Sequence, residues 1–505
     1  MVDLILTGAE ILTPRPSCAD SLALAQGKIV KLGTQTEIIS LSNTKTRIIS
    51  LQGQTLVPAF FDTHAHVLQT GLDMQLTPLY EVNSRQELIE RMRSCPGGFS
   101  TWVGGIGFDE TRFADQQLPT KADLDLISLK DPVFIIRRDH HSLVLNTKAM
   151  ETLNSQALSR SENLGIFRAQ RNSEIRKKIL SLIPAEDKRT SLHLAAKVAV
   201  SKGIGTVNAL EGGDLFMNDD LLLIRDYAGS LPLNLIIYPQ VKDPDWVAEH
   251  LGACRLGGCL LLDGSFGSRT AALSSAYQDE PENCGMLYFS DDELFYLVEK
   301  AHLMGFQLSF HAIGDRAIEQ IIKAYKRALK LHPRADHRHR IEHCELPSPE
   351  QIHQIAELGL HLAVQPTFEH FWGNAGAMYE IRLGKRYLAT NPFKTLMAAG
   401  IILGGGSDSD VTPMDPLLGI HSAVNHPKPE QALDVCEALE LYTSQAARLN
   451  FLESQTGTLE EGNVADLAVL SQNPLTSPRE SLKNIEVLAT IISGDIKYSR
   501  LDCML

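Results

Sequence analysis

Eight short apolar runs in the middle of the chain constrain its fold more than any other feature. Each run has the length and composition of a buried strand, and helical periodicity separates most of them, as over 291–304 and 316–331. Continuous apolar strands that alternate with helices predict a parallel sheet. Eight such units predict an α/β fold of the (β/α)8 TIM barrel type. The eight runs are 55–66, 203–210, 231–240, 257–264, 306–315, 339–345, 360–368 and 400–408.

Both chain ends and one long gap depart from this pattern. Residues 1–54 and 457–505 contain short strand-like runs with tight-turn glycines, and chain ends often lie close together in space. We therefore predict a small composite β-sandwich domain built from both ends. The gap at 67–202 is too long for a loop and is predicted to be an insertion or lid subdomain. The barrel would then comprise 55–66 and 203–456.

Charge and cysteine content exclude several classes of partner. The net charge is −14 and the basic residues form no long run, which argues against nucleic acid or an acidic membrane as a partner. The first residues lack a basic segment of the secretory type, and no apolar stretch reaches the length of a bilayer span. The eight cysteines form no CxxC pair, as in a reducing cytosol. We expect a cytoplasmic protein acting on a small molecule, with a homodimer as the default assembly.

Side chains that can bind a metal ion stand on or at the ends of several predicted strands. His64 and His66 end the first strand, His311 lies on the fifth, His343 on the sixth, and Asp408 ends the eighth. A barrel gathers the carboxyl ends of its strands into one mouth, where active sites lie. Alternate residues of a strand share a face, so both histidines of the HxH pair can turn inward. An HxH pair alone can be incidental, but the other three positions favour a divalent metal, with zinc the first candidate.

Other polar residues near these positions are expected to be structural. His337 and His339 are predicted at the surface or at the base of the barrel, and His302 on a solvated helix face. Glu342 adjoins His343 in sequence, so strand alternation places it on the opposite face.

Long motifs in the chain resemble the amidohydrolase superfamily and, within it, amidohydrolase family 3, the branch that contains N-substituted formamide deformylase. "LVPAFFDTHAH" (56–66) is similar to the strand-one signature of that superfamily. The other matching motifs are "GFDE" (107–110), "RRDHHSLVLNTKAM" (137–150), "DGSFGSRTAAL" (263–273), "HAIGDRAI" (311–318), "RIEHCE" (340–345), "VQP" (364–366), "GSDSDV" (406–411) and "GTLEEGNVADLAVL" (457–470).

The resemblance implies a metal-dependent hydrolase on a barrel. It assigns the metal-site positions to five residues: His64, His66, His311, His343 and Asp408. It also places His141 and Arg269 at motif positions near the substrate. A structural hydrogen bond for His141 and a loop-stabilising ion pair for Arg269 are the alternatives.

Cys259 is the main departure from the family pattern. Many relatives carry, four residues before "DGS", a lysine that can be carboxylated and bridge two metals, whereas this chain has Cys259 there. A cysteine can bind zinc as a thiolate or simply pack in the core. The site would hold two metals if Cys259 bridges them and one if it does not. Without a bridge we expect one firm metal, held mainly by His64, His66, His311 and Asp408.

The resemblance leads to a hypothesis about the reaction. A metal-activated water would cleave a C–N bond in an amide, an N-substituted formamide or a cyclic amide. Asp408 would shuttle the proton, and His343, if not a firm ligand, would polarise the carbonyl. Hydrolytic deamination of a heterocycle and ester or lactone hydrolysis are the alternatives. A non-catalytic binding barrel is disfavoured because all five metal positions are retained.

Overall fold

The structure is a computed structural model that describes residues 1–13, 18–138, 142–154, 160–213 and 217–501. The fold is mixed α/β. Its strands are β1 (Leu4–Thr7), β2 (Glu10–Ile11), β3 (Ser21–Ala25), β4 (Lys28–Gly33), β5 (Arg47–Ser50), β6 (Thr55–Pro58), β7 (Phe60–Ala65), β8 (Thr77–Pro78), β9 (Gly98–Phe99), β10 (Trp102–Phe108), β11 (Val133–Arg137), β12 (Ser142–Leu145), β13 (Ile166–Arg168), β14 (Ile204–Glu211), β15 (Asn234–Pro239), β16 (Arg255–Leu261), β17 (Gln307–Ala312), β18 (Arg340–His343), β19 (His361–Val364), β20 (Leu403–Gly405), β21 (Leu467–Leu470), β22 (Val487–Ile492) and β23 (Asp495–Ser499).

Helices lie between many of the strands throughout the described chain. They are α1 (Gln35–Ile39), α2 (Val67–Met74), α3 (Arg85–Ser94), α4 (Lys121–Asp125), α5 (Thr147–Thr152), α6 (Arg160–Asn163), α7 (Ala169–Leu182), α8 (Ala185–Ser201), α9 (Asn218–Tyr227), α10 (Pro244–Leu251), α11 (Asp291–Leu303), α12 (Asp315–Leu331), α13 (Pro349–Glu357), α14 (Pro366–Trp372), α15 (Met378–Leu383), α16 (Phe393–Ala398), α17 (Pro416–Val424), α18 (Val435–Leu441) and α19 (Ser444–Leu449). Throughout the described ranges, every helix is too short or too polar to cross a membrane.

The chain divides into two compact units. The first comprises Met1–His66, Ala196–Glu211 and Ala228–Leu505, and the second comprises Val67–Ala195 and Gly212–Tyr227. In the second unit, strands β8 to β13 form one sheet in the order β13-β12-β11-β10-β8, with β9 paired to β10. That sheet contributes Phe108, Ile135 and Val144 to its own apolar cluster.

Parallel strands in the first unit follow the predicted alternation. One ladder runs β15-β14-β7 and another runs β16-β17-β18-β19-β20, with every pairing parallel. A parallel bridge joins Ala65, at the end of β7, to Ser409, just after β20. Each predicted run overlaps one of these strands, although β14 and β16 extend beyond the predicted bounds.

The predicted first run, 55–66, is two strands rather than one. β6 pairs antiparallel with β21, whereas β7 pairs parallel with β14. The change occurs at Ala59, whose amide donates to Asp466 O, while the next amide, that of Phe60, donates to Gly203 O. The backbone therefore leaves one sheet and enters another within two residues.

Two further sheets of the first unit combine the ends of the chain. One has the order β4-β3-β1-β5 and the other β2-β6-β21-β22-β23. Both supply buried side chains to one apolar cluster, among them Leu6, Leu24, Leu56, Leu467 and Ile491. Burial of alternate strand residues from both ends therefore ties the two termini into one core.

Candidate metal centre

Six candidate ligands from five parallel strands or their following loops converge in the first unit. They form three overlapping groups, and the ligand atoms within each group all lie within 4.8 Å of one another. The groups are His64 with His66 and Cys259, Cys259 with His311 and His343, and His64 with His343 and Asp408. The structure thus brings together all the metal-site positions predicted from the sequence, including Cys259.

Backbone hydrogen bonds hold the Asp408 loop against the HxH pair. The amide of Asp408 donates to His64 O at 2.8 Å, and the amide of His66 donates to Ser409 O at 2.6 Å. Gly406 permits this close approach, because a Cβ there would lie 2.7 Å from Cβ of His64. The Asp62 carboxylate accepts hydrogen bonds from the hydroxyl and the amide of Ser407, at 2.6 and 2.9 Å, and so holds the same loop in place.

The two histidines of the HxH pair are oriented through their Nδ1 atoms. Nδ1 of His64 lies 2.7 Å from a carboxylate oxygen of Glu342, and Nδ1 of His66 lies 2.8 Å from Leu210 O. Their Nε2 atoms lie 3.1 and 3.2 Å from the same oxygen, Oδ1 of Asp408. An Nδ1–H committed to an oxygen leaves Nε2 as the nitrogen that can bind a metal.

His311 lies between the side chain of Cys259 on β16 and that of Asp263 in the loop after β16. Its Nδ1 is 3.6 Å from Sγ of Cys259, and its Nε2 is 3.5 Å from Oδ1 of Asp263 and 3.2 Å from Gly264 O. Cys259 and Asp263 are four residues apart, and both reach the same imidazole. Asp263 is in turn fixed by the backbone amides of Ile313 and Gly314, which donate to it at 3.0 and 2.8 Å.

The buried ring of His343 has no hydrogen-bond partner among the described residues. It is 1 % exposed, and neither ring nitrogen makes a hydrogen bond within the part of the chain that the structure describes. Its ring lies 4.4 Å from that of His311 and 4.8 Å from that of His64, centroid to centroid. Unpaired buried nitrogens cost free energy, so this histidine indicates a ligand that the protein chain itself does not supply.

Glu342 corrects the strand-alternation argument. We predicted it on the face opposite to His343, yet both side chains reach the same site. The reason is the backbone of His343, whose φ is +69° in the left-handed region, so regular alternation ends there. Glu342 also pairs with Arg340 at 2.7 Å and accepts a hydrogen bond from the hydroxyl of Ser309. It therefore positions His64, a role that the sequence pattern did not reveal.

Mutual attraction among the site's charges outweighs burial for most of its groups. Burial opposes ionisation of Asp408, but His64 and His66 hold the pKa of its carboxyl well below the usual value. Burial likewise opposes ionisation of Cys259, but His311 lowers the pKa of its thiol well below the usual value. The pKa of His311 rises to about 9 beside Cys259 despite burial. In His343, burial and the charge of His311 lower the pKa.

These residues fit a divalent cation. Imidazole nitrogens, a thiolate and a carboxylate are the ligands that zinc and related divalent ions take in proteins. Such an ion explains a buried His343 whose ring makes no hydrogen bond to any described residue. Glu342 and Leu210 O orient the rings of His64 and His66 in the way that outer-shell partners do in metal sites.

Comparisons with known proteins agree with this geometry. The amidohydrolase family matches residues 47–498. The chain belongs to the amidohydrolase family. It is 30% identical to the putative amidohydrolase YtcJ of Bacillus subtilis, over 90% of this chain and 91% of that protein. It is 24% identical to the N-substituted formamide deformylase of Arthrobacter pascens, over 99% of each chain. These matches confirm the predicted membership of amidohydrolase family 3.

A solved structure supports the same assignment for this amidohydrolase. An uncharacterized metal-dependent hydrolase from Pyrococcus furiosus superposes with a TM-score of 0.81 at 29% identity, covering 94% of this chain and 100% of that one. Dependence on a metal in that neighbour agrees with the ligand set found here.

Of the two predicted substrate-binding residues in this amidohydrolase, one can be located. Arg269 donates to Asp279 at 2.8 Å and lies 3.0 Å from Glu280, and Asp279 raises the pKa of its guanidinium. Its φ of +58° marks a tight turn of the loop after β16. The loop ion pair is therefore present, and a substrate contact of Arg269 stays a prediction. His141 lies outside the described residues.

A second histidine cluster of the amidohydrolase lies at the opposite end of the strands. His337 and His339 precede β18 and are buried, so they are not surface residues. The prediction that His302 is solvated is wrong, because it is 3 % exposed. Its Nδ1 lies 2.8 Å from Nε2 of His339, and its Nε2 lies 2.7 Å from His332 O. Packing of α11 against α12 and β17 buries a helix face that the sequence pattern predicted to be solvated.

Buried neutral histidines at this end of the strands predict that the folded protein loses stability as the pH falls. Burial, with Arg338 and Arg448 nearby, lowers the pKa of His361 to about 3. The unfolded chain takes up this proton below about pH 6.5 and the folded chain does not, so stability falls as the pH drops below that value. We expect His361→Phe to flatten the dependence of the unfolding free energy on pH, between about pH 6 and pH 4, by about 1.4 kcal/mol per pH unit.

Urea denaturation of metal-depleted protein at several pH values measures this slope. His353→Phe, at an exposed histidine of α13, is the matched control and should leave the slope unchanged. Identical slopes for the wild type and His361→Phe would contradict the prediction.

Proposed function

We propose that this amidohydrolase is a metal-dependent hydrolase of a C–N bond in an amide, an N-substituted formamide or a cyclic amide. The observation that carries the proposal is the set of three overlapping ligand groups at the ends of parallel strands. Family membership supports the reaction class, and the name of the Arthrobacter pascens relative supports formamides as first candidates.

The proposal includes a closed (β/α)8 barrel as the scaffold. The two parallel ladders supply eight strands, and the bridge between Ala65 and Ser409 supports their closure beside β7 and β20. We infer that the two sheets from the chain ends form the separate sandwich domain, and that the second unit corresponds to the insertion. The active site would then lie at the carboxyl ends of the barrel strands.

His64, His66, His311, His343, Asp408 and Cys259 would hold the metal, with zinc as the first candidate. When bound, such an ion lowers the pKa of its water from 15.7 to about 7 and polarises a carbonyl oxygen. The protein's contribution is orientation. Nδ1 of each HxH histidine is occupied by Glu342 or Leu210 O, so both Nε2 atoms are held in one direction before any ligand arrives.

Asp408 is the proposed proton carrier. One of its carboxylate oxygens faces His64 and His66, and its backbone is fixed by His64 O. A carboxylate held this firmly can accept the proton of the attacking water and return it to the leaving nitrogen. The ring of His343 lies 4.8 Å from that of His64, centroid to centroid, and where His343 is not a firm ligand it would donate to the carbonyl oxygen. We further propose His141 and Arg269 as substrate contacts.

Removal of the metal should abolish turnover. Treatment with a chelator is expected to lower kcat by at least ~100-fold, since the ion contributes several kcal/mol to the transition state. Zinc or another divalent ion added back should restore it. Elemental analysis by mass spectrometry and an assay of the same sample check the prediction, with protein dialysed without chelator as the control. Full activity of metal-free protein would contradict it.

A substrate panel tests the reaction class. The metal-loaded enzyme would be assayed against N-substituted formamides, other amides, cyclic amides, amino-heterocycles and lactones. Turnover confined to the first three classes supports the proposal. Ammonia release from a heterocycle, or turnover of lactones alone, would replace it with one of the alternatives.

A further inference from the structure

Among the described residues, the ring of His343 finds no hydrogen bond of the kind that orients the HxH pair. Nδ1 of His64 contacts Glu342 and Nδ1 of His66 contacts Leu210 O, whereas neither nitrogen of His343 has a described partner. An imidazole can turn about its side-chain torsions, so other contacts must set its direction. Before any ligand arrives, the direction of this ring depends on its backbone and on the side chains packed around it.

The backbone that carries His343 is strained. His343 and Cys344 have φ of +69° and +54°, and residues with a Cβ rarely enter this left-handed region. Such backbone persists where the surrounding structure over-determines it, and it clusters at functional sites. The amide of Cys344 donates to Ala312 O and Glu342 O. These bonds hold one side of the His343 turn, and Glu345 holds the other.

Glu345 is anchored through both its side chain and its backbone. It is 2 % exposed, and its carboxylate accepts a hydrogen bond from the hydroxyl of Tyr379 on α15. Its carbonyl oxygen accepts another, at 2.7 Å, from the amide of Asn391. The side-chain amide of Asn391 in turn donates to Glu369 on α14 at 2.9 Å. The turn at His343 is thereby tied to later segments of the chain.

A buried ion pair holds the far end of this network. Nζ of Lys428 lies 2.5 Å from Oε2 of Glu369, and their side chains are 1 % and 0 % exposed. The hydroxyl of Thr390 donates to Glu369 at 2.7 Å and accepts from Lys428 at 2.8 Å. A Cβ at Gly373 would lie 1.7 Å from Oε2 of Glu369, so glycine leaves the space for this carboxylate. Desolvation offsets much of the attraction in a buried ion pair, so this pair fixes geometry more than it adds stability.

The same ion pair holds the aromatic ring that packs against His343. Phe368 precedes Glu369 on α14 and is 5 % exposed. Its ring lies 6.0 Å from that of His343, centroid to centroid, with 23° between the two planes. The network therefore reaches His343 by two routes, through the backbone at Glu345 and through the ring of Phe368.

We propose that Glu345 and the Glu369–Lys428 ion pair are positioning residues for His343. They hold its strained backbone and the neighbouring Phe368, and so aim its ring into the candidate metal centre. The proposal rests on the function proposed above, in which His343 is a metal ligand or donates to the carbonyl oxygen. All of these residues lie in the first unit, and the three positioning residues are outside the ligand groups found in the described chain.

Nuclear magnetic resonance of metal-free protein with isotope-labelled histidine tests the direction of the ring. His343→Gln identifies the His343 signal by its absence. Glu345→Ala should shift or split that signal, because the anchor to Tyr379 is lost. Glu345→Gln should restore it, since an amide oxygen can accept the same hydrogen bond. Glu350→Ala, at an exposed glutamate of α13, is the matched control and should leave the signal unchanged.

The Glu345 variants should also separate kcat from KM in the metal-loaded enzyme. Misplacement of His343 in Glu345→Ala is expected to lower kcat for amide hydrolysis by about 10- to 100-fold. KM should change by less than about 2-fold, because the loss falls on the transition state. Glu345→Gln should recover most of the lost kcat. A residue that only stabilises the fold would leave both constants of the folded enzyme unchanged.

A double variant tests the ion pair without leaving one charge unpaired. Glu369→Met combined with Lys428→Met removes both charges, so the protein should remain folded. The His343 signal should nevertheless shift, and kcat should fall by about 10-fold. Lys394→Met combined with Glu437→Met, at a partly exposed pair between α16 and α18, is the control and should change neither.

A His343 signal that stays unchanged in both Glu345→Ala and the double variant overturns the proposal. An equal loss of kcat in Glu345→Ala and Glu345→Gln overturns it as well, because a restored hydrogen bond rescues a positioning role. If the signal shifts as expected but the wild type hydrolyses no amide, the proposed function fails and the positioning of His343 stands.

Discussion

Asp408→Asn is expected to lower kcat for amide hydrolysis by about 10²- to 10⁴-fold while metal content stays unchanged. Asparagine keeps an oxygen that can face His64 and His66, but it cannot carry the proton between water and leaving nitrogen. The backbone tolerates the change, because Asp408 has φ of +52° and asparagine adopts that left-handed region readily. Steady-state kinetics and metal analysis of the same preparation measure the effect.

Asp410→Asn is the matched control for this experiment. It removes the same charge from the same loop, two residues away, at a position that belongs to none of the three ligand groups. Its kcat should remain close to that of the wild type. Wild-type kcat in a fully metal-loaded Asp408→Asn enzyme would exclude Asp408 from proton transfer, and loss of metal from that variant would make it chiefly a ligand.

Glu342→Gln is expected to have the largest effect on stability. Glu342 and Arg340 form an ion pair at 2.7 Å with both side chains fully buried. Removal of one partner leaves a buried guanidinium without its counter-charge, which costs about 3–5 kcal/mol. His64 also loses the carboxylate that orients its Nδ1, so metal affinity should weaken by about 10- to 100-fold. Urea denaturation and competition with a chromophoric chelator measure the two effects.

A double variant separates these two consequences of losing Glu342. Arg340→Met combined with Glu342→Gln removes both charges, so most of the stability should return. Metal affinity should remain weak, because His64 still lacks its carboxylate. Glu319→Gln, in a partly exposed pair with Lys323 on α12, is the control and should change stability by less than about 1 kcal/mol. Recovery of metal affinity in the double variant would show that Glu342 does not position His64.

The metal ligands were predictable because their chemistry and their order both appear in the chain. His64, His66, His311, His343 and Asp408 each stand at or near the end of an apolar run, and a parallel sheet brings such ends together. Glu342 was not predictable in the same way. That Glu342 and His343 both reach the site depends on the left-handed backbone of His343, which strand periodicity does not encode.

The first strand shows a second limit of sequence reading. Residues 55–66 form one apolar run, yet the chain changes sheets at Ala59. Hydrophobicity records only that both halves are buried. Which sheet each half joins depends on the backbone carbonyls of Gly203 and Asp466, which accept hydrogen bonds from Phe60 and Ala59 and lie far away in sequence. His302 was misjudged for the same reason, since its burial comes from His332 and His339.

The sequence by itself determined the class of this protein, its alternation of strands and helices, and the identity of its metal-competent residues. Those properties follow from residue chemistry and local period. Only the tertiary structure decided how the residues meet: that Cys259 lies in both ligand groups, and that Glu342 holds His64. These contacts join side chains on separate strands, and their distances depend on backbone irregularities at Gly257 and His343 that only the packed fold reveals.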